Sequence, residues 1–466
     1  MKLSSKVLLA MAISSITATA YAEPASQEFV PTTLAGASAQ SEAKGFIEDF
    51  SLGGSTRNWY SHESLYRGGS FKYKEHGVVK TDRNRTNWVQ GTILNASSGF
   101  TQGTVGVKTE VAVYNALVLD RSKRDIKGGS NRTLADSDGN AVDQWSKLGL
   151  ANVQFRVSNT TLTAGRQNFS SPIVDTIGNR ALPSSFEGVS FNSEEFNNLS
   201  FQGGVFDRVS PRTEQSLSKF RTEYTSDASV ETDKVYTLGA NYQPFKSLKT
   251  SFFGANVKDF WNQYYFGATH ELGDSQQLAL TTGFNYYKTV DEGKKLMGDI
   301  DNDTFSLSLG LAHQAHSLTF SYQAVNGNEY FDYLHETNGI YLANSLTSDF
   351  NGPNEKSFQV AYGINMAEYG VPGLKFNIYS ARGWGIDGTH YTGNRGVVGK
   401  GYDGIQKQDG EKHQEYGVGA GYAIQSGPLK ATAIRATYVE HRGSEFQSDG
   451  SVKEFRLVTT IPFNIL

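Results

Sequence analysis

Apolar and polar residues alternate with a period of two through much of the chain. Phe305, Leu307, Leu309 and Leu311 interleave with Ser306, Ser308, Gly310 and Ala312, which gives an extended strand one greasy and one polar face. The same texture runs through Val105, Val107, Thr109, Val111 and Val113, through Val153, Phe155 and Val157, and through Tyr236, Leu238, Ala240 and Tyr242. It returns at Leu278 to Tyr286, Leu318 to Tyr322, Phe358 to Ile364 and Tyr416 to Ile424. The polar faces carry charges such as Lys108, Glu110 and Arg156. A packed soluble core would turn charges out and large side chains in; here the greasy face meets lipid and the charged one meets water. The pattern predicts an all-β fold, a transmembrane antiparallel β-barrel over residues 45–466. At roughly 20–25 residues per strand and turn, some 18 strands are expected, enough to leave an aqueous channel.

Between these segments lie polar, glycine-rich stretches at 122–143, 207–233, 326–355 and 383–415, while Gln243-Pro-Phe-Lys246, Pro372-Gly373 and Ser426-Gly-Pro428 mark tight turns. Long extracellular loops on one rim and short periplasmic turns on the other are the expected asymmetry.

The first 22 residues read as a secretory signal: Lys2 and Lys6, an apolar run Val7 to Ile16, and the small-residue site Ala20-Tyr21-Ala22. That run is too short to span a bilayer as a helix. Residues 23–44, rich in Ala, Ser and Thr with Pro24 and Pro31, are expected to be a flexible extension without a role in the barrel. Removing the signal leaves 444 residues and a balance of 41 − 47 = −6, so no nucleic-acid partner is implied. There is no cysteine, hence no disulfide or thiol chemistry.

Catalytic and metal motifs find little support. Gly399-Lys-Gly-Tyr-Asp-Gly404 matches a dinucleotide fingerprint without the strand and helix that it needs. Asp136-x-Asp138 and Asp299-x-Asp301-x-Asp303 lack the glycine of a helical calcium loop. His313 and His316, three apart, would point to opposite faces of a single strand, which spoils chelation unless a turn falls between them. No Gly-x-Ser-x-Gly occurs. No metal or organic cofactor is expected, and no enzyme.

The candidate chemistry is cationic. Arg57, Arg156, Arg435 and Arg456 each fall on the parity opposite an apolar series, which places them toward the lumen. A guanidinium stays charged and forms paired hydrogen bonds to carboxylates, and charges lining a narrow pore select what passes. The plainer reading is that these arginines neutralise lumenal acids such as Glu110.

Several runs resemble the OprD family of outer-membrane carboxylate channels: Ser41-Glu-Ala-Lys-Gly-Phe-Ile-Glu-Asp49, Arg57-Asn-Trp-Tyr60, Trp88-Val-Gln-Gly91, Ser98 to Gly106, Lys147-Leu-Gly149, Arg180-Ala-Leu-Pro183, Phe331-Asp-Tyr333, Val371-Pro-Gly-Leu374 and Gln425-Ser-Gly-Pro428. The resemblance covers about residues 41–466. It implies an 18-stranded barrel, a monomer or weakly associated trimer in Gram-negative outer-membrane lipid, that passes small carboxylate solutes such as amino acids, aromatic acids or carboxylate antibiotics. It further implies a basic ladder at Arg57, Arg156, Arg166, Arg382, Lys430, Arg435 and Arg456, a constriction loop with Pro172, Asp175, Arg180 and Pro183, and an acidic side at Asp301 and Asp303. The ladder is hard to trace through 383–415, and the chain ends Pro462-Phe-Asn-Ile-Leu466 without the terminal aromatic usual in outer-membrane proteins. A general or sugar porin would instead stack aromatics along the lumen, and a barrel enzyme or adhesin would need a catalytic cluster or a large extracellular domain.

Overall fold

Leu307, Leu309, Val111, Val113, Phe155, Leu238, Tyr416 and Val418 stand exposed on the outer wall of a closed barrel in the computed structural model. An exposed apolar band of that extent is a lipid-facing surface. The structure describes residues 38–75, 78–121, 134–138, 140–225, 230–393, 401–402 and 404–466. The signal segment, most of the extension, the glycine-rich stretch at 127–132 and part of the 399–404 motif lie outside the described residues.

Eighteen antiparallel strands form one sheet, which closes where the first strand, Ser51–Arg67, pairs with the last, Ser451–Asn464, while also pairing with Asn84–Ser97. Every wall strand therefore has two hydrogen-bonded neighbours and no edge is left open to lipid. A small hairpin, Phe71–Glu75 with Val78–Asp82, stands apart in the first long loop. One rim carries short turns such as 158–159, 197–198 and 314–315. Asn198 and Gln314 there adopt φ of 60° and 50°, the left-handed geometry that matches the twist of a hairpin. The other rim carries the long connections 168–184, 211–234, 327–355 and 388–408.

Those long loops fold into the barrel. Ile173, Val174, Phe220, Phe331, Leu334, Tyr391 and Tyr402 are buried in one cluster with the inward side chains Phe186, Phe206, Trp261 and Tyr287 of the wall. The lumen is thus partly filled by an apolar core instead of being a uniformly water-lined tube. Gly91 permits the approach, because a Cβ there would run into the carbonyl of Ala181.

The extension is tied in earlier than residue 45. The Gln40 side chain is buried, donating to the carbonyls of Thr101 and Gly103 at 2.9 and 3.0 Å and accepting from Arg156 Nε. Residues 38–44 thus belong to the packed structure, a correction to the expected boundary.

Candidate substrate site in the lumen

Arg57, Arg435 and Arg456 converge on one lumenal pocket of about 160 Å³, lined also by Asn179, Thr347, Asn377, Tyr379 and Glu454. The period of two brings them there: Trp59, Ser61 and Glu63 share Arg57's buried face, and Glu454, Arg456 and Val458 share theirs. Three guanidinium groups against one carboxylate give the lining a formal 3 − 1 = +2.

The three arginines are held differently. Arg57 is buried and reaches across to the inward loop, donating to the carbonyls of Gly178 at 2.7 Å and Arg180 at 3.0 Å and to Thr460 Oγ1 at 3.1 Å. It fixes the loop's position. Arg456 grips both oxygens of Glu454 at 2.8 and 2.9 Å, and Ser61 donates to the same carboxylate. Arg435 stands on the neighbouring strand within the same pocket, close to Tyr379, whose hydroxyl donates to Glu415. Farther toward the short-turn rim, Arg156 stacks 3.8 Å from the Phe100 ring centroid.

The loop 168–184 bridges opposite walls. The hydroxyl of Tyr287 donates to the Pro172 carbonyl at 2.8 Å, Asp175 accepts from Asn338 and Tyr341, and Pro183 is buried beside Leu182. It meets loops 211–234 and 327–355 at a clasp absent from the sequence reading. Arg212 pairs with Glu336 at 2.7 and 3.2 Å, both buried, and donates to Asn179. Burial works against the charged Glu336, but Arg212 and His335 beside it hold its carboxyl below the ordinary range. Lys147, buried over the Trp145 ring, donates to the carbonyls of Pro211 and Glu214 and ties the loop to the wall.

Three ladder or acid assignments, Arg382, Asp301 and Asp303, are corrected by the side chains' positions, and two more, Lys430 and Arg166, fall outside the pocket. Arg382 is exposed on the outward parity with Ile378 and Trp384. Lys430 lies exposed in the short connection 424–432. Asp301 and Asp303 share the outward parity of Phe305 and Leu307, and both are paired to Lys288, at 2.5 and 2.7 Å. Arg166 is not among the pocket groups; it is bound in the wall to Glu187 at 3.1 Å and to the Leu148 carbonyl. Besides wall acids such as Glu454, the loops supply inward acids: Asp332 and Asp349 sit beside Tyr224 and Tyr333, with both tyrosine hydroxyls donating to Asp349 at 2.8 Å. The Phe331-Asp-Tyr333 run, which carries part of the family resemblance, supplies two of these groups. Lumenal tyrosines are also more numerous than parity implied, because the loops supply them.

A closed wall of this size, with loops narrowing a basic passage, defines an outer-membrane diffusion channel. The comparisons with known proteins agree. The family model described as outer membrane porin, OprD family, matches residues 44–465. The chain is 36% identical over 438 residues to Porin D of Pseudomonas aeruginosa, covering 92% of this chain and 94% of that one. It is 27% identical to the porin-like protein GalP of Pseudomonas putida, covering 94% and 98%. The crystal structure of Pseudomonas aeruginosa OccD3 (OpdP) superposes with a TM-score of 0.80 at 45% identity over 92% of this chain and 94% of that one. The chain belongs to the OprD family and is a porin of the outer membrane.

Proposed function

We propose that the channel takes up small carboxylate solutes by diffusion, without a catalytic step or organic cofactor, as a monomer or weakly associated trimer. The observation that carries this reading is the convergence of Arg435 and Arg456 on the pocket beside a loop that Arg57 holds in place. A carboxylate reaching that pocket meets planar donors suited to its two oxygens. Low dielectric around the narrowing strengthens their field. Arg156 supplies a further step toward the periplasmic mouth, and the loop 168–184 sets the width. The residual positive charge keeps the pocket attractive although Glu454 engages Arg456. On the loop that brings Thr347 to the pocket, Asp349 supplies an acid that suits an amino group, so amino acids fit the arrangement as well as simple acids.

Uptake into liposomes of amino acids, benzoate-like acids and sugars of matched size tests this. Carboxylates should enter faster than sugars, and Arg435→Gln with Arg456→Gln should remove the difference. Equal entry of sugars, or a preference untouched by the double substitution, would contradict it.

A further inference from the structure

Above the arginine pocket, on the long-loop side, two imidazoles and a carboxylate meet. His413 of strand Asp409–Ala423 and His441 of strand Ala433–Gly443 both face the lumen and are buried, at 3% and 1% exposure. His413 Nδ1 and His441 Nε2 lie 2.7 Å apart, and one ligand atom from each, with one from Asp449 of the connection 444–450, lie within 4.8 Å of one another. The Ser348 hydroxyl joins them, 2.6 Å from Asp449 Oδ2 and 3.3 Å from His413 Nδ1.

We propose that His413, His441 and Asp449 form a binding site for a transition-metal dication of the zinc class. Two imidazoles and one carboxylate are a donor set that such ions favour, and a hard cation such as calcium, which prefers six or more oxygens, does not. Ser348 or water completes four-coordination. Metal–nitrogen bonds of about 2.0–2.1 Å set two tetrahedral nitrogens roughly 3.3 Å apart, so the rings need to part by a few tenths of an ångström. The surroundings resemble an outer shell. His413 Nε2 bonds to Glu355 at 2.5 Å, which keeps the proton on Nε2 and turns the Nδ1 lone pair to the cluster. Phe350 stacks on the same ring at 4.1 Å. Gly383 makes room, since a Cβ there would collide with Glu355 and His413. His441 Nδ1 is buried without a hydrogen-bond partner. When a cation takes Nε2, the Nε2 proton leaves or passes to that nitrogen. Asp449 is exposed and offers an entry from outside.

The site joins two wall strands, the connection 444–450 and, through Ser348 and Glu355, the loop 327–355. That loop brings Leu346 and Thr347 to the arginine pocket. Bound metal therefore braces one side of the passage.

The full mature protein, purified in detergent without a polyhistidine tag and stripped with chelator, should bind one equivalent of zinc by calorimetry, unaffected by excess magnesium or calcium. X-ray absorption should show two imidazole nitrogens at about 2.0–2.1 Å. Asp449→Ala, on an exposed loop, should weaken binding at least tenfold with the barrel intact by heat-modifiability on gels. Glu355→Gln should weaken it about tenfold through the second shell, and His441→Gln should abolish it. No stoichiometric binding, or binding unchanged in Asp449→Ala and His441→Gln, would overturn the site and leave a hydrogen-bonded histidine pair.

Discussion

Two groups of charges on the same wall behave oppositely. Arg435 and Arg456 point into the lumen and share a pocket, whereas Lys288, Asp301 and Asp303 point outward and neutralise one another at the barrel's outer surface. Both groups sit on regular strands, and the period of two assigns each to its face. Asp301 and Asp303 stand on the very parity that carries Phe305, Leu307 and Leu309; the family-like acidic motif pointed one way and the strand's geometry the other. On a barrel strand the alternation decides, because a side chain cannot cross the wall.

The sharpest way to stress the contrast is the clasp that fixes the passage. Glu336→Gln or Arg212→Ala leaves one buried partner uncompensated, a loss of about 3–5 kcal/mol. The loops should loosen, read as larger and noisier unitary currents and as protease cleavage within 211–234 or 327–355 at an unchanged barrel. Next comes the pocket itself. Charge-assisted hydrogen bonds contribute about 1.5–3 kcal/mol, so Arg435→Gln and Arg456→Gln should each weaken carboxylate block of the current by roughly ten- to a hundredfold.

Proton dependence should separate loops from wall. Burial pushes the carboxyls of Glu329 and Asp332 up to about 7. The packed loops hold these protons more tightly than the unpacked ones, so their contribution is intact below the ordinary carboxylate range and is lost as pH rises toward about 7. Glu336, held low, contributes above that range and is lost on acidification. Gating noise should therefore be least in mildly acidic solution and grow toward pH 8, and Asp332→Asn should flatten the alkaline rise. The smallest effect belongs to the outer cluster: Asp301→Asn with Asp303→Asn should cost about 1 kcal/mol or less and leave carboxylate block unaltered. A marked change there would break the comparison.

How much was legible follows from the same physics. The wall was readable because the period of two is local, and Leu238, Phe155 and Val418 announce their face by their neighbours alone. Arg57, Arg435 and Arg456 could be placed by parity. Arg382 could have been excluded by it, since Ile378 and Trp384 flank it on the exposed face. The loop chemistry was not legible. Arg212 and Glu336 are 124 residues apart and meet through irregular backbone, and His413 with His441 become a pair only through strand register, Glu415 lying opposite His441. Asp332 and Tyr333 were visible as residues and silent as partners.

The central claim is that wall-borne guanidinium groups, and not the outward charges, recognise the solute's carboxylate. Single-channel recordings in planar bilayers, titrated with one amino acid against its amide, address it most directly. The account predicts concentration-dependent block by the acid, weak block by the amide, and loss of that distinction in the Arg435→Gln, Arg456→Gln double variant while Asp301→Asn, Asp303→Asn retains it. Equal block by acid and amide in the native channel, or a distinction that survives the double arginine substitution, would contradict it.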